Sequence, residues 1–322
     1  MKNKYAFVFV MLFSILVVSF GFTNIYVRQH QQTEDEDFVV VTSFYPMYIA
    51  AMNVVGDTEG VTLKNLSEPQ TGCLHDFQLT PADMKMLSTA DVFIINGGGI
   101  ESFIEDIAKQ YPELVIIETC EGIDLLCETE EHGHEAEDVH EENSQDDHEG
   151  HSHEVNAHAW MSVENYRKQV ENIASGLAKI SPEKSESFLA NAGIYDGKLE
   201  ALQLEQEKLL TLTQGKEAIL FHCAYDYVAE DLGIAAVFCM DLDEERQVSA
   251  GEVANVLEVI KTHNVKYMFA EALYGKNMCE LVQKEADVEV IYLDPLNRGE
   301  YEADSYIEGM RNNLKQIRDV FR

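Results

Sequence analysis

Short runs of apolar, mostly β-branched residues recur along the chain, and between them apolar residues return at helical intervals. Phe38 to Ser43 (FVVVTS) is the first run, and its lack of polar alternation predicts a parallel strand buried on both faces. Gly60 to Asn65, Asp91 to Asn96 (DVFIIN) and Leu114 to Glu118 (LVIIE) predict three more. Thr80-Pro81-Ala82-Asp83 opens a helix, with Thr80 as N-cap and Pro81 at the first helical position. Ile100, Phe103, Ile104 and Ile107 stand at helical spacing. Gly97, Gly98 and Gly99 end the third strand. They lack the GxGxxG and GxxxxGK[ST] spacings of phosphate loops, so they predict a tight strand-to-helix turn.

In mid-chain the pattern turns helical. Tyr166, Val170, Ile173, Leu177 and Ile180 step by 4, 3, 4 and 3 residues, with Ser162 as N-cap. Ser181-Pro182 punctuates this helix, and a second long helical stretch runs to about Gly215. The strand pattern then resumes with Glu217 to Phe221 (EAILF), Ile234 to Met240, Lys266 to Ala270 and Val288 to Leu293 (VEVIYL). Ser249 to Glu252 is a capping box before Val253, Val256, Leu257 and Ile260. Tyr306, Met310, Leu314 and Ile317 mark a last helix. Alternating strands and helices predict an α/β fold. The expected architecture is two (βα)4-type lobes with mainly parallel sheets, joined by a rigid long helix. The expected boundaries are 38–162 for the first lobe, 163–181 for the linker helix and 182–322 for the second lobe.

The N-terminus is organised differently. Lys2 and Lys4 precede an apolar run from Ala6 to Phe22, after which the chain turns polar. This predicts an export signal or an uncleaved membrane anchor over 1–24, followed by a polar stalk over 25–37. Ser19 and Gly21 suit a cleavage after Gly21, and no lipoprotein cysteine ends the run. The protein is therefore expected outside the cytoplasmic membrane, at the cell surface or in a periplasm. Disulfides are permitted there, and the six cysteines lack CxxC spacing. Cys120 with Cys127, or Cys73 with Cys223, are candidate pairs, and free buried thiols are the alternative.

Charge narrows the ligand. A formal net charge of −35 argues against nucleic acid as a partner and favours cations. From Glu128 to Glu154 there are six histidines (His132, His134, His140, His148, His151, His153), twelve Asp or Glu, and no Lys or Arg. Such a segment cannot build a core, while imidazole and carboxylate both bind divalent metals such as Zn²⁺. It is an expected accessory, low-affinity metal site; a solvated acidic linker is the plainer reading.

Beyond this segment and the stalk only His75, His158, His222 and His263 remain. His263 closes a predicted helix, where a cation is favoured. His75, His158 and His222 lie in loops, and His222 directly follows a strand. Asp294 follows the last strand. Ligands of open α/β sheets bind outside the carboxyl ends of strands. Three imidazoles and a carboxylate there would form a closed tetrahedral zinc site. Taken singly, a histidine at a strand end is more often a hydrogen-bonded core or cap residue, and Asp294 before Pro295 more often a turn residue; their recurrence at matching ends of separate units is what points to a shared site. Glu271, at another strand end, reads as a partner behind a histidine.

Several stretches resemble the solute-binding proteins of zinc and manganese ABC importers, the metal-binding cluster A-I type. They are Cys73-Leu-His75-Asp-Phe-Gln-Leu-Thr-Pro81-Ala-Asp83, Asn156-Ala-His158-Ala-Trp160, Phe221-His222-Cys-Ala-Tyr225-Asp-Tyr227, Phe269-Ala-Glu271 and Leu293-Asp294-Pro295-Leu296. The first resembles the family's His-x-Tyr-x-x-x-Pro-x-Asp. The likeness covers about Val39 to Phe321. It implies two α/β lobes around a rigid helix, with metal ligands at His75, His158, His222 and Asp294. Histidine at 222, where manganese members carry glutamate, and the histidine-rich loop imply zinc as the transported ligand. Ala157 replaces the usual proline of the second motif, and Cys223 sits beside the third ligand. The implied function is capture of Zn²⁺ and delivery to the membrane permease of an ABC importer by a monomeric protein that is not an enzyme. A manganese or other divalent-metal carrier, a surface adhesin of the same family, and a secreted zinc hydrolase with Glu271 as base are the alternatives. The hydrolase lacks an HExxH motif, and Asp294 would close its fourth metal position.

Overall fold

The eight predicted strands form where the apolar runs place them, and each end lies within one residue of the predicted one. The computed structural model describes residues 37–71, 77–127, 155–240, 242 and 248–322. The export segment, His75 with Cys73, and the six histidines of the acidic loop lie outside the described residues. In the first lobe β1 (Phe38–Thr42), β2 (Val61–Asn65), β3 (Val92–Ile95) and β4 (Val115–Glu118) make one parallel sheet in the order β2-β1-β3-β4. In the second, β5 (Glu217–Leu220), β6 (Ala235–Cys239), β7 (Tyr267–Ala270) and β8 (Glu289–Tyr292) repeat that plan as β6-β5-β7-β8. Each sheet changes direction of winding beside its first strand, where an open α/β sheet leaves a crevice at its carboxyl edge.

The helices follow their caps. α1 (Tyr45–Val55) packs on the first sheet, followed by α2 (Pro81–Leu87) and α3 (Ile104–Gln110). At the start of α2, Thr80 Oγ1 accepts from the Asp83 N–H and Asp83 Oδ2 accepts from the Thr80 N–H, a full capping box. α1 escapes an amphipathic reading because it is buried on nearly all sides: Met47, Ile49, Ala50, Ala51 and Val54 are fully enclosed.

The connector is α4 (Val163–Ile180), N-capped by Ser162 as expected. Its apolar stripe of Tyr166, Val170, Ile173 and Leu177 is buried. α5 (Ser185–Glu207) runs back alongside it, fastened by the Arg167 guanidinium on Asp196 at 2.6 and 2.9 Å. Asn191 of α5 donates to the last carbonyls of α1, Val54 and Val55, so this helix belongs to the packing of the first lobe. A short α6 (Leu210–Thr213), then α7 (Tyr225–Asp231), α8 (Ala250–His263), α9 (Lys276–Glu285) and α10 (Ser305–Val320) complete the described helices. The Ser249–Glu252 capping box opens α8, and His263 is its last residue. α10 crosses back to the connector, where Tyr306 stacks on Tyr166 with ring centroids 3.6 Å apart.

Strand periodicity divides the second lobe's core. Ala218, Leu220, Phe269 and Ile291 join the large core shared with the first lobe, while Ile219, Phe221, Met268 and Ala270 face a second core under α8 and α9. Both faces of this sheet are therefore covered, as its continuous apolar runs require.

The glycine turn after β3 is a tight corner, as predicted, with positive φ at Gly97, Gly98 and Gly99. Side chains already occupy backbone N–H groups at this corner, the Gly98 N–H among them on Glu118 Oε1 at 3.4 Å. Glu101 Oε1 accepts from the Asn96 N–H at 2.8 Å and Oε2 from the Gly97 N–H at 3.0 Å, with Ser43 Oγ donating to Oε1 at 2.8 Å. The proposed pairing of Cys120 with Cys127 does not occur. Both are free: Cys120 is buried beneath Gln169, whereas Cys127 is exposed in an antiparallel bridge with Val155.

Burial raises the Glu101 carboxyl to about 7 against the hydrogen bonds that lower it. A folded-state pKa above the unfolded one means the native state holds its proton longer. Stability at Glu101 is therefore greatest below about pH 4.5 and falls as pH rises toward 7, by on the order of 3 kcal/mol. Urea unfolding of the protein and of Glu101→Gln across this range is expected to show that slope in the former and its loss in the latter.

Candidate metal site

The carboxyl ends of the two sheets face each other, and loops from both meet there. After β2, Pro69 O accepts from the Gly299 N–H at 3.1 Å, joining the first lobe's loop to the segment beyond β8. Asn65 Nδ2 donates to the Tyr301 hydroxyl at 2.9 Å, and the Tyr45 hydroxyl donates to Glu300 O at 2.8 Å. His158, His222, Glu271 and Asp294 all lie on this shared edge.

His158 precedes a single turn of 3-10 helix (Ala159–Met161) and is almost wholly buried. Its Nδ1 lies 2.9 Å from Asn156 Oδ1, which also accepts the His158 N–H at 3.1 Å. The Asn156 amide cannot be reversed without loss. Its Nδ2 donates to Cys223 O at 2.7 Å and to Asp226 Oδ2 at 3.0 Å. Asn156 Oδ1 is thus an acceptor, which assigns the proton to His158 Nδ1 and makes Nε2 the basic, metal-seeking nitrogen.

His222 leaves the end of β5 two residues beyond Leu220 and is fully buried. Its ring meets that of His158 edge-on, with centroids 5.1 Å apart. Glu271 Oε2 lies 3.6 Å from His222 Nδ1, longer than a hydrogen bond but close enough to orient the ring. The other oxygen of Glu271 faces Arg298 Nη2 at 3.4 Å.

Asp294 follows β8. Its Oδ1 accepts the Leu296 N–H at 2.8 Å, and Asn313 of α10 clamps its backbone by both N–H and C=O at 2.8 Å. Asp294 is exposed to solvent. The protein crowded about the carboxylate nevertheless raises its pKa, with Glu271 adding to the rise and the Leu296 N–H and Arg298 opposing it.

Three long-range bonds hold these segments in register. Asn156 ties the His158 turn to the His222 loop, as above. Trp160 Nε1 donates to Pro295 O at 2.8 Å, tying the His158 turn to Asp294. The Tyr225 hydroxyl donates to Leu293 O at 2.7 Å, tying the His222 loop to Asp294.

Of the four expected ligands, His158 and His222 are brought side by side, Asp294 lies within electrostatic reach of Glu271 behind His222, and His75 lies outside the described residues. The segment on either side of His75 is placed. Gln70 Nε2 reaches Gly299 O at 3.4 Å, and the Phe77 ring lies 5.7 Å from Phe103. The sequence reading missed Arg298 and the mooring roles of Asn156 and Trp160. It also missed a group in which Cys223, Asp226 and Cys239 have ligand atoms within 4.8 Å of one another. The register of β5 with β6, which sets Leu220 opposite Cys239, creates that group, and no local spacing announces it.

Known proteins resemble this chain along nearly its whole length. A family model described as "Zinc-uptake complex component A periplasmic" matches residues 40–320. Zinc-binding protein AdcA of Streptococcus pyogenes serotype M3 (strain ATCC BAA-595 / MGAS315) is 30% identical over 288 residues, 87% of this chain and 55% of its own length. This chain therefore spans about half the length of such relatives. High-affinity zinc uptake system protein ZnuA of Bacillus subtilis (strain 168) is 29% identical over 332 residues, covering 99% of this chain and 98% of its own. Among solved structures, Zn(II)-bound AdcA from Streptococcus pneumoniae superposes with a TM-score of 0.70 at 25% identity, covering 88% of this chain and 57% of that one. A FpvC mutant from Pseudomonas aeruginosa shares the fold, with a TM-score of 0.73 at 23% identity over 88% of this chain and 98% of its own.

The Trp160 bond offers a direct test of the architecture. Trp160→Phe keeps an aromatic ring in this fully enclosed position but leaves the Pro295 carbonyl without its indole donor. Chemical denaturation is expected to show a loss of about 1–3 kcal/mol.

Proposed function

This chain belongs to the family of the periplasmic component A of zinc-uptake complexes, and on that premise we propose that it is an extracytoplasmic solute-binding protein that captures Zn²⁺ and hands it to the permease of an ABC-type importer. The metal lies between the lobes, held by His75, His158, His222 and Asp294. The protein carries the ion and performs no catalysis on it.

One observation carries this reading: His158 and His222 are buried against each other at the meeting edge of two parallel sheets. Two adjacent imidazoles in a core would be an unfavourable use of buried polar groups unless they shared a purpose. Asn156 supports a fixed tautomer on one, and Glu271 stands behind the other, as carboxylates commonly stand behind zinc-binding histidines. Asp294 supplies the carboxylate, and the mooring of Pro69 and Gln70 on Gly299 brings the loop that leads to His75 toward the same edge. Imidazole-rich donor sets suit Zn²⁺ better than the oxygen-preferring Mn²⁺.

The acidic histidine-rich segment serves as an accessory that gathers zinc. Cys127 bridges Val155, and Asn156 N–H donates to Leu126 O at 2.7 Å, so the chain leaves for this segment and returns at one point. That point lies three residues before His158. A high local density of weak sites there would raise the zinc concentration at the cleft.

Metal analysis by mass spectrometry is expected to find one tightly held Zn²⁺, lost in His222→Ala, with Mn²⁺ failing to displace it. Preference for Mn²⁺ would overturn the zinc assignment. Removing 128–154 should lower the number of weakly bound ions and spare the tight one; loss of the tight site would move the primary ligands into that segment. Each histidine must shed its proton to bind, so zinc affinity should fall as pH drops through about 6.5, by up to about tenfold per pH unit for each protonated histidine. Competition titration with a chelating dye over pH 5–8 measures this.

A further inference from the structure

We propose that Cys223 and Cys239 form a reversible dithiol–disulfide pair directly behind the His222 loop. Cys223 follows His222 in the chain, and Cys239 ends β6, the strand hydrogen-bonded to β5. Their sulfurs are 3.1 Å apart although the residues are 16 positions apart in sequence. Both are buried, Cys223 at 8% and Cys239 at 2% exposure.

The geometry favours a covalent bond over a thiolate metal site. Two thiolates on a tetrahedral zinc, each about 2.3 Å from the ion, sit about 3.8 Å apart. The observed pair is closer than that. The third member of the group, Asp226, has Oδ2 engaged by Asn156 Nδ2 at 3.0 Å. The pairing rests on this geometry alone. Its use in the cell rests on the extracytoplasmic location proposed above, where disulfides persist.

The oxidant is an organic disulfide, either a small molecule or the active site of an exported thiol oxidase. Cys223, the more accessible of the two, attacks one of its sulfurs. That S–S bond breaks, a mixed disulfide forms on Cys223, and one thiol departs carrying the cysteine proton. Cys239 then attacks the Cys223 sulfur and expels the second thiol. Two protein thiols lose two electrons and two protons, and one organic disulfide becomes two thiols. The product bolts the residue after His222 to the end of β6. Asn156, which orients His158, holds the carbonyl of that same residue.

Trypsin is expected to release residues 217–246 as one fragment carrying both cysteines. The full chain should be incubated with oxidised glutathione or with dithiothreitol, then alkylated with iodoacetamide in denaturant containing EDTA and digested. After oxidised glutathione the fragment should carry no alkyl group and weigh two hydrogens less than the dithiol form. After dithiothreitol it should carry two alkyl groups. Cys239→Ser should instead trap glutathione on Cys223. Full alkylation after oxidised glutathione, or glutathione persisting on Cys223 with Cys239 intact, would overturn the proposal. Protection from alkylation in native protein that EDTA removes and dithiothreitol does not would assign the pair to a metal instead.

Discussion

Three hydrogen bonds between segments far apart in sequence hold the edge where the two sheets meet: Asn156 to Cys223, Trp160 to Pro295, and Tyr225 to Leu293. Each joins a different pair of the loops that carry His158, His222 and Asp294, so together they close a triangle. Loops at sheet edges are ordinarily the most variable part of an α/β fold. Here each loop has two independent partners, and each bond is buried, where losing a partner costs most. The loops that carry the histidines are therefore fixed by bonds outside the rings, and Asn156 and Glu271 then act on the rings themselves. The connector helix and α10 back this triangle from below, through the stack of Tyr306 on Tyr166 and the Tyr306 hydroxyl on Trp160 O.

Much of this fold was legible because local chemistry and global packing agree. The strands announced themselves as β-branched or continuous apolar runs, since the inner strands of both sheets are buried. Thr80, Ser162 and Ser249 announced helix starts because a cap is a local device. The helix Tyr45–Val55 gave no periodic signal, since residues buried all round have no polar face to alternate with. The helix Lys276–Glu285 buries only Met278, Cys279 and Val282, a stripe too short to stand out.

The site divides in the same way. Scarce histidines at strand ends were visible in the chain, and so was a carboxylate at Glu271. What holds them was not. The Asn156–Cys223 and Trp160–Pro295 bonds span 67 and 135 residues, and such pairings depend on how two lobes dock. The Cys223–Cys239 contact depends on strand register, so a search for short cysteine spacings passes over it. A cysteine pair that did lie close in sequence, Cys120 and Cys127, proved to occupy the core and the surface respectively.

At the proposed site, electrostatics favour a divalent cation as the occupant. Burial raises the Asp294 pKa, Glu271 adds to the rise, and the Leu296 N–H and Arg298 oppose it. Protonating Asp294 would relieve that cost at the expense of a good metal ligand. A small ion with two positive charges there would favour the ionised Asp294 that burial disfavours, take the imidazole nitrogen that the Asn156-fixed tautomer makes basic, and leave when protons compete for the same lone pairs. The triangle of hydrogen bonds keeps the Asp294 loop tied to those of the two histidines, so these donors are held ready for one ion.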